Sequence, residues 1–195
     1  MTPEDDPIAR FLEALERAKA AEPSDATAMT LATADARGRP SARMVLLKGA
    51  DAEGFTFFTN HGSRKANELD QNPFAALCFH WPTLVQQVRV EGSVERVSDD
   101  ESDAYFATRP RGSQIGAWAS RQSSPIGERD ELVAQVRAIE ERFPSPSAVP
   151  RPPFWGGYRV RPTRIEFWFG QPSRLHDRFA FARDGAGWQM TRLSP

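Results

Sequence analysis

Apolar residues recur at spacings of three and four at Ile8, Phe11, Leu12 and Leu15, and Asp6 followed by Pro7 supplies a start signal, so an amphipathic helix is expected there. From Thr27 onward the period shortens. Residues 28–33, 42–47 and 55–59 are short β-prone runs, separated by the turn signals Asp35-Ala-Arg-Gly-Arg-Pro40 and Asp51-Ala-Glu-Gly54, which predicts a strand meander. Ser63 precedes a polar helix over 64–70 that Asn72-Pro73 closes, and strands are expected over 74–80 and 84–97. In the last of these, Val88, Val90, Gly92 and Val94 share one face while Gln87, Arg89, Glu91 and Glu95 share the other. One face is core and the other is a working surface.

The middle of the chain reads as three helices, over 99–108, 113–120 and 128–143, followed by a proline-rich connector over 144–153. Strands return over 158–160, 164–169, 179–183 and 188–193, the last pair joined by Asp184-Gly-Ala-Gly187. Neither set of strands has enough apolar faces to bury alone, so both ends of the chain are expected to share one antiparallel sheet or barrel. The expectation is a β-rich α+β fold with peripheral helices, forming one domain over 1–195 with a short acidic tail and helix over 1–26.

Composition narrows the function classes. The chain is 39% apolar and 26% charged, and its 25 Lys plus Arg balance 26 Asp plus Glu, so nothing draws the whole molecule to nucleic acid or to an anionic membrane. Any anion site must be local. Cys78 is the only cysteine and sits in an apolar run, which excludes an internal disulfide or a multi-cysteine metal site. The acidic start (Glu4, Asp5, Asp6) and the lack of a long apolar stretch lead to an expected cytoplasmic location.

Three clusters could carry chemistry. Arg43 and Lys48 bound the apolar run Met44-Val-Leu-Leu47, and Arg64 and Lys65 occupy the first turn of the helix that Ser63 is expected to cap. Cations there oppose the helix dipole, so a phosphate on the free amides would compensate them; a solvated charged surface is the alternative. Tyr105 and Arg109 lie one helical turn apart, and Pro110 ends that helix so that Ser113 can cap the next, which suits a phosphomonoester or an ordinary N-cap beside an aromatic ring. In Arg174-Leu-His-Asp-Arg178, strand alternation would put Arg174, His176 and Arg178 on one face, near Trp168, Phe169 and Phe179, either around an anionic or aromatic ligand or as a solvent-facing stripe. Dinucleotide and P-loop fingerprints, His-Glu-x-x-His and Cys-x-x-Cys are all absent.

With these residues in place, the chain resembles the pyridoxamine (pyridoxine) 5'-phosphate oxidase family. The segments that carry the resemblance are Arg43-Met-Val-Leu-Leu-Lys48, Phe58-Thr-Asn-His-Gly-Ser-Arg-Lys65, Gln87-Val-Arg-Val-Glu-Gly92, the stretch from Tyr105 through Arg109 and Ser113 to Gln122-Ser123, Trp155-Gly-Gly-Tyr158 and Arg174-Leu-His-Asp-Arg178. The resemblance implies an antiparallel FMN-binding split β-barrel and a homodimer with FMN at the subunit interface. It implies that Arg43, Met44, Val45, Leu46, Leu47, Lys48, Phe58, Thr59, Arg64, Lys65 and Gln87 hold the flavin, with Gln122, Ser123, Trp168 and Arg178 coming from the partner subunit. Substrate phosphate falls to Tyr105, Arg109 and Ser113, Lys48 bridges flavin and substrate, and Arg174 and His176 face the pyridine ring as the catalytic pair. No metal is implied.

The reaction implied is hydride transfer from C4' of pyridoxamine or pyridoxine 5'-phosphate to flavin N5, then reoxidation by O2 to give pyridoxal 5'-phosphate and hydrogen peroxide. The cofactor supplies the chemistry and the side chains supply orientation and electrostatics. Gln86 stands where family members often have arginine, and no N-terminal arm with arginine and tyrosine is evident. Two alternatives use overlapping residues: a split-barrel flavin reductase with another substrate, and a non-enzymatic module that binds FMN or pyridoxal phosphate.

Overall fold

In the computed structural model, which describes all 195 residues, the first helix, α1 (Pro7–Ala21), begins where Asp6 accepts a hydrogen bond from the amide of Ile8 at 3.1 Å. Its buried face is Ile8, Phe11, Ala14, Leu15 and Ala18; Leu12, expected in that stripe, is exposed. Phe11 packs edge-on to Phe55 at 4.8 Å between ring centres and beside Phe79 at 4.9 Å, which fixes the helix on the sheet.

The strands follow as β1 (Ala28–Ala34), β2 (Pro40–Leu46), β3 (Gly49–Asp51), β4 (Gly54–Asn60), β5 (Phe74–Trp81), β6 (Gln86–Arg96), β7 (Trp155–Phe169), β8 (Asp177–Asp184) and β9 (Gly187–Leu193). Between them lie α2 (Arg64–Gln71), α3 (Asp99–Thr108), α4 (Arg111–Ala119) and α5 (Arg129–Arg142). The short β3, paired with β4, was not expected from the sequence. All pairings are antiparallel in one sheet of order β2-β1-β5-β6-β7-β4-β3, with β8 added beside β7 and β9 beside β8. Both ends of the chain therefore share one sheet, as expected.

The two short strands predicted over 158–160 and 164–169 are halves of the 15-residue β7. Its first half pairs with β4 and its second with β8, while β6 runs along its whole other edge. The register shifts between Glu91 and Gly92, where a side chain at Gly92 would overlap the carbonyl of Arg161, so only glycine lets the backbones close. On β6 the alternation holds, with Val88, Val90 and Val94 buried. A core of 25 residues fills the curled sheet beneath α1, and a satellite core of Phe106, Ile115, Val149 and Trp155 packs the helical layer onto the start of β7. Val149 anchors the proline-rich connector in that layer. No helix is long and apolar enough to cross a membrane.

Candidate active site

A cleft of about 850 Å³ opens between β2, the end of β4, α2 and α4. Arg43, Met44, Val45, Leu46, Lys48, Phe58, Thr59, Arg64, Lys65, Tyr105, Arg109, Ser113, Gln122 and Ser123 all line it. Leu47 is buried beneath it.

At one end sits Lys65, only 6% exposed. Its ammonium donates to Thr59 Oγ1 at 3.0 Å, Gln122 Oε1 at 3.1 Å and Ser63 Oγ at 3.3 Å, and no carboxylate pairs with it. Burial, helped by the nearby Arg43 charge, pushes its pKa down to about 8. The neighbouring cations are held differently. Buried Glu68 accepts from Thr33 and from Ser41 at 2.6 Å, from Arg43 Nη2 at 3.1 Å and from Arg64 Nε at 2.8 Å. Burial alone would raise the Glu68 pKa, but these hydrogen bonds outweigh it and bring the value to about 2. The compensating anion expected for Arg64 is thus partly internal. Ser63 occupies the N-cap position of α2 yet makes no capping hydrogen bond, because its hydroxyl faces Lys65.

At the other end, Arg109 lies at the C-cap of α3 with its guanidinium over the Trp155 ring at 4.7 Å and the Phe106 ring at 5.4 Å. Its buried Nη1 has no hydrogen-bond partner, and burial lowers its pKa. Tyr105 stacks on Phe58 at 4.1 Å, and Phe58 stacks on Trp155 at 5.4 Å, so three parallel rings form the wall beside Arg109. A side chain at Gly157 would meet Phe58 at 2.7 Å, which is why glycine follows Gly156 here. Ser113 does not cap α4: Pro110 holds that position and Ser113 lies within the first turn, its amide bonded to the Pro110 carbonyl. Ser113 still lines the cleft.

The remaining candidates assemble elsewhere. Gln87 is opposite Trp168 on β7, and Trp168 is opposite Arg178 on β8. Arg178 donates from Nε and Nη2 to buried Glu166 at 2.9 and 2.7 Å, and His176 packs on Trp168 at 4.5 Å. Only Asp177 and Arg178 of the Arg174–Arg178 run belong to a strand; Arg174 ends a 3-10 turn at φ 62° and His176 lies in the following loop, so the expected alternation does not hold. His176 Nδ1 accepts from the Gln171 amide at 3.1 Å, which closes that loop.

Gln87, expected with the flavin-holding residues of its own chain, thus belongs to the β7–β8 corner. Gln122 and Ser123, expected from a partner, line the cleft of their own chain, with Asn60 Nδ2 tied to the Ser120 carbonyl at 3.2 Å beside them. Glu68, Glu166 and Trp155 were missed. The Arg64 to Glu68 spacing of one helical turn was the available signal, but it reads as an ordinary surface pair until β2 brings Arg43 to it.

Residues 15–143 match the pyridoxamine 5'-phosphate oxidase family model, and residues 155–195 match the pyridoxine 5'-phosphate oxidase C-terminal dimerisation region. The chain belongs to the pyridoxamine 5'-phosphate oxidase family. It is 64% identical over 190 residues to the pyridoxine/pyridoxamine 5'-phosphate oxidase of Anaeromyxobacter dehalogenans, covering 97% of this chain and 96% of that one. The Rubrobacter xylanophilus enzyme of the same name is 58% identical, over 97% and 87% of the two chains. Among solved structures, PhzG from Burkholderia lata, crystallised with tetrahydrophenazine-1-carboxylic acid, superposes with a TM-score of 0.92 at 31% identity, over 99% and 94% of the two chains. A pyridoxamine 5'-phosphate oxidase-related, FMN-binding protein from Nostoc punctiforme shares the fold at a TM-score of 0.75 and 21% identity, over 96% of each chain. The fold is therefore the FMN-binding split barrel, and this family member is a homodimeric oxidoreductase with FMN as cofactor. The buried, carboxylate-free Lys65 ammonium fits the cofactor's phosphate.

Proposed function

We propose that the protein oxidises pyridoxamine 5'-phosphate and pyridoxine 5'-phosphate to pyridoxal 5'-phosphate, with O2 as electron acceptor, in the cytoplasm. Hydrogen peroxide is the coproduct, and the amine also yields ammonia. One observation carries this reading: a single cleft holds two cations without carboxylate partners, the buried Lys65 and the half-buried Arg109 with its buried, unpartnered Nη1, beside a flat stack of aromatic rings. Two anionic groups and two planar rings are what FMN and a phosphorylated pyridine present.

On this reading Arg43, Arg64 and Lys65 hold the flavin phosphate, while Met44, Val45, Leu46, Leu47, Thr59, Gln122 and Ser123 shape the remainder of its seat. Tyr105, Arg109 and Ser113 hold the substrate phosphate, and Lys48 lies on the wall between them. Trp155 and Phe106 fix the plane of Arg109, so its free N–H group is already aimed when substrate arrives. Gln87, Trp168, Arg174, His176 and Arg178 reach the cleft only as the partner subunit's Gln87, the partner subunit's Trp168, the partner subunit's Arg174, the partner subunit's His176 and the partner subunit's Arg178. There the partner's Gln87, the partner's Trp168 and the partner's Arg178 complete the flavin seat, and the partner's Arg174 and the partner's His176 face the pyridine ring, exclude water and fix its orientation. Bound FMN supplies the two-electron chemistry, and no side chain is required as an obligatory general base.

The test is to incubate the FMN-saturated protein with pyridoxamine 5'-phosphate in air and follow aldehyde and peroxide together. Equimolar production of both is expected, from pyridoxine 5'-phosphate as well. No turnover of either ester, with oxidation of a reduced phenazine carboxylic acid instead, would replace this reading with a substrate of the kind seen in the PhzG crystal.

A further inference from the structure

We propose that Glu68 is a positioning residue for the flavin phosphate, holding the Arg43 and Arg64 guanidinium groups at the mouth of the site while leaving the Lys65 ammonium unpaired. The inference rests on the reading of Arg43, Arg64 and Lys65 as the seat of that phosphate. Glu68 is only 5% exposed and joins three elements: its own helix α2, Thr33 on β1, and Ser41 and Arg43 on β2. One oxygen takes Thr33, Ser41 and Arg43, and the other takes Arg64 at 2.8 Å. Arg43 is anchored further by Nη1 to Thr33 and the Leu31 carbonyl and by Nη2 to Ser41, so its fork has one orientation.

The Arg64 side chain is 69% exposed, so its end of the pair is solvated although the Glu68 carboxylate is buried. What Glu68 does to Arg64 is limit where an otherwise free side chain can point. Lys65, on the opposite side of the turn, keeps only neutral partners. Three cations and one carboxylate leave a net charge of +2 at the site, which balances a phosphomonoester of about −1.5 to −2 at neutral pH. Two effects of removing the carboxylate oppose each other: an extra net positive charge strengthens attraction to phosphate, while two released guanidinium groups weaken the grip. Positioning predicts that the second prevails.

The experiment measures dissociation constants of FMN and of riboflavin, which lacks the phosphate, for the flavin-stripped full-length chain by quenching of flavin fluorescence. Glu68→Gln is expected to weaken FMN about tenfold, the value of one charge-assisted hydrogen bond, and to leave riboflavin unchanged. In an Arg43→Gln background the same change is expected to add less than about twofold, because the residue acts through Arg43. Tighter FMN binding, or equal weakening of both flavins as in general damage to the fold, would overturn the proposal. Should Glu68→Gln fail to fold, Ser41→Ala removes one of the bonds that orient Glu68 and is expected to lower the FMN to riboflavin preference about threefold; an unchanged preference overturns the proposal equally. Lys65→Met separates the two levels. If it too leaves the preference unchanged, the phosphate seat itself is misassigned; if it abolishes the preference and the Glu68 and Ser41 variants do not, only the role of Glu68 falls.

Discussion

The cleft beside α2 and the corner between β7 and β8 are each organised by a buried glutamate, but they spend their cations differently. In the cleft, Glu68 engages Arg43 and Arg64, while the buried Lys65 and the half-buried Arg109 have no anion. In the corner, Glu166 accepts from Arg178 Nε and Nη2 and lies within 3.6 Å of Arg89 and 3.5 Å of Arg164, while Arg178 Nη1 donates to the Ser194 carbonyl and Arg192 pairs with Asp177. Residues 171–175, Arg174 and Leu175 among them, stand exposed at its tip. On the proposed reading the first region is an anion receptor, and the second is an aromatic and basic edge whose cations are largely paired. Trp155 and Trp168 mark the two along β7, and thirteen residues of strand span roughly 40 Å. The proposed function therefore has the corner of one chain serve the cleft of another, a reading supported by the match of residues 155–195 to a dimerisation region.

The largest effect should come from the receptor's own unpaired charge. Lys65→Met is expected to raise the FMN dissociation constant about a hundredfold, equivalent to about 2.7 kcal/mol, with a smaller effect on riboflavin. A change below threefold would remove Lys65 from the site. Its titration gives a second signature. The free-protein pKa of about 8 lies below the ordinary 10.5, so FMN binding must take up a proton above pH 8 and should weaken about tenfold between pH 7 and 9. Stability of the FMN-free protein moves the other way. The unfolded chain binds more protons at this lysine between about pH 8 and 10.5, so the Lys65 contribution to stability rises with pH through that window. Lys65→Met should abolish both slopes.

Arg109→Ala tests the other end of the same cleft. Loss of a charge-assisted hydrogen bond of about 1.5–3 kcal/mol should lower kcat/KM about tenfold to a few hundredfold. FMN affinity should be unaltered, since the guanidinium sits on Trp155 and away from the α2 cluster. Equal loss of flavin and substrate binding would merge the two anion sites into one.

The contrast between the regions also explains what the sequence disclosed. Strand alternation on β6 and the helix start at Asp6 are local effects of backbone period and capping, and both were readable. The basic residues of the cleft were readable as candidates because cations at the start of a helix are out of place there. What failed was long-range. Nothing local says that Arg43 on β2 meets Glu68 on α2, or that residues 155–169 form one strand, because β6, β4 and β8 impose that continuity from outside. The Arg174–Arg178 run misled for a related reason: a 3-10 turn with positive φ at Ser173 and Arg174 interrupts the alternation that its composition suggests.

The smallest expected change relative to the parent is also the one that decides the comparison. Let one chain carry Lys65→Met, which disables its cleft, and another carry Arg178→Ala, which removes the two hydrogen bonds that Glu166 accepts from it and loosens its corner. Each homodimer has two defective sites. If cleft and corner of each site come from different chains, a mixed dimer holds one site with both mutations and one with neither. Random re-association makes about half of the dimers mixed, so about one quarter of parental sites should return, a fourfold deficit from the parent but a large gain over either variant. If both halves of a site belonged to one chain, every site in the mixed dimer would keep one defect and nothing would return. The measurement is oxidation of pyridoxamine 5'-phosphate at saturating FMN before and after the variants are unfolded together and refolded. Recovery that stays at the level of the separate variants, with mixed dimers confirmed by mass, would place the corner in its own chain's site and end the division drawn here.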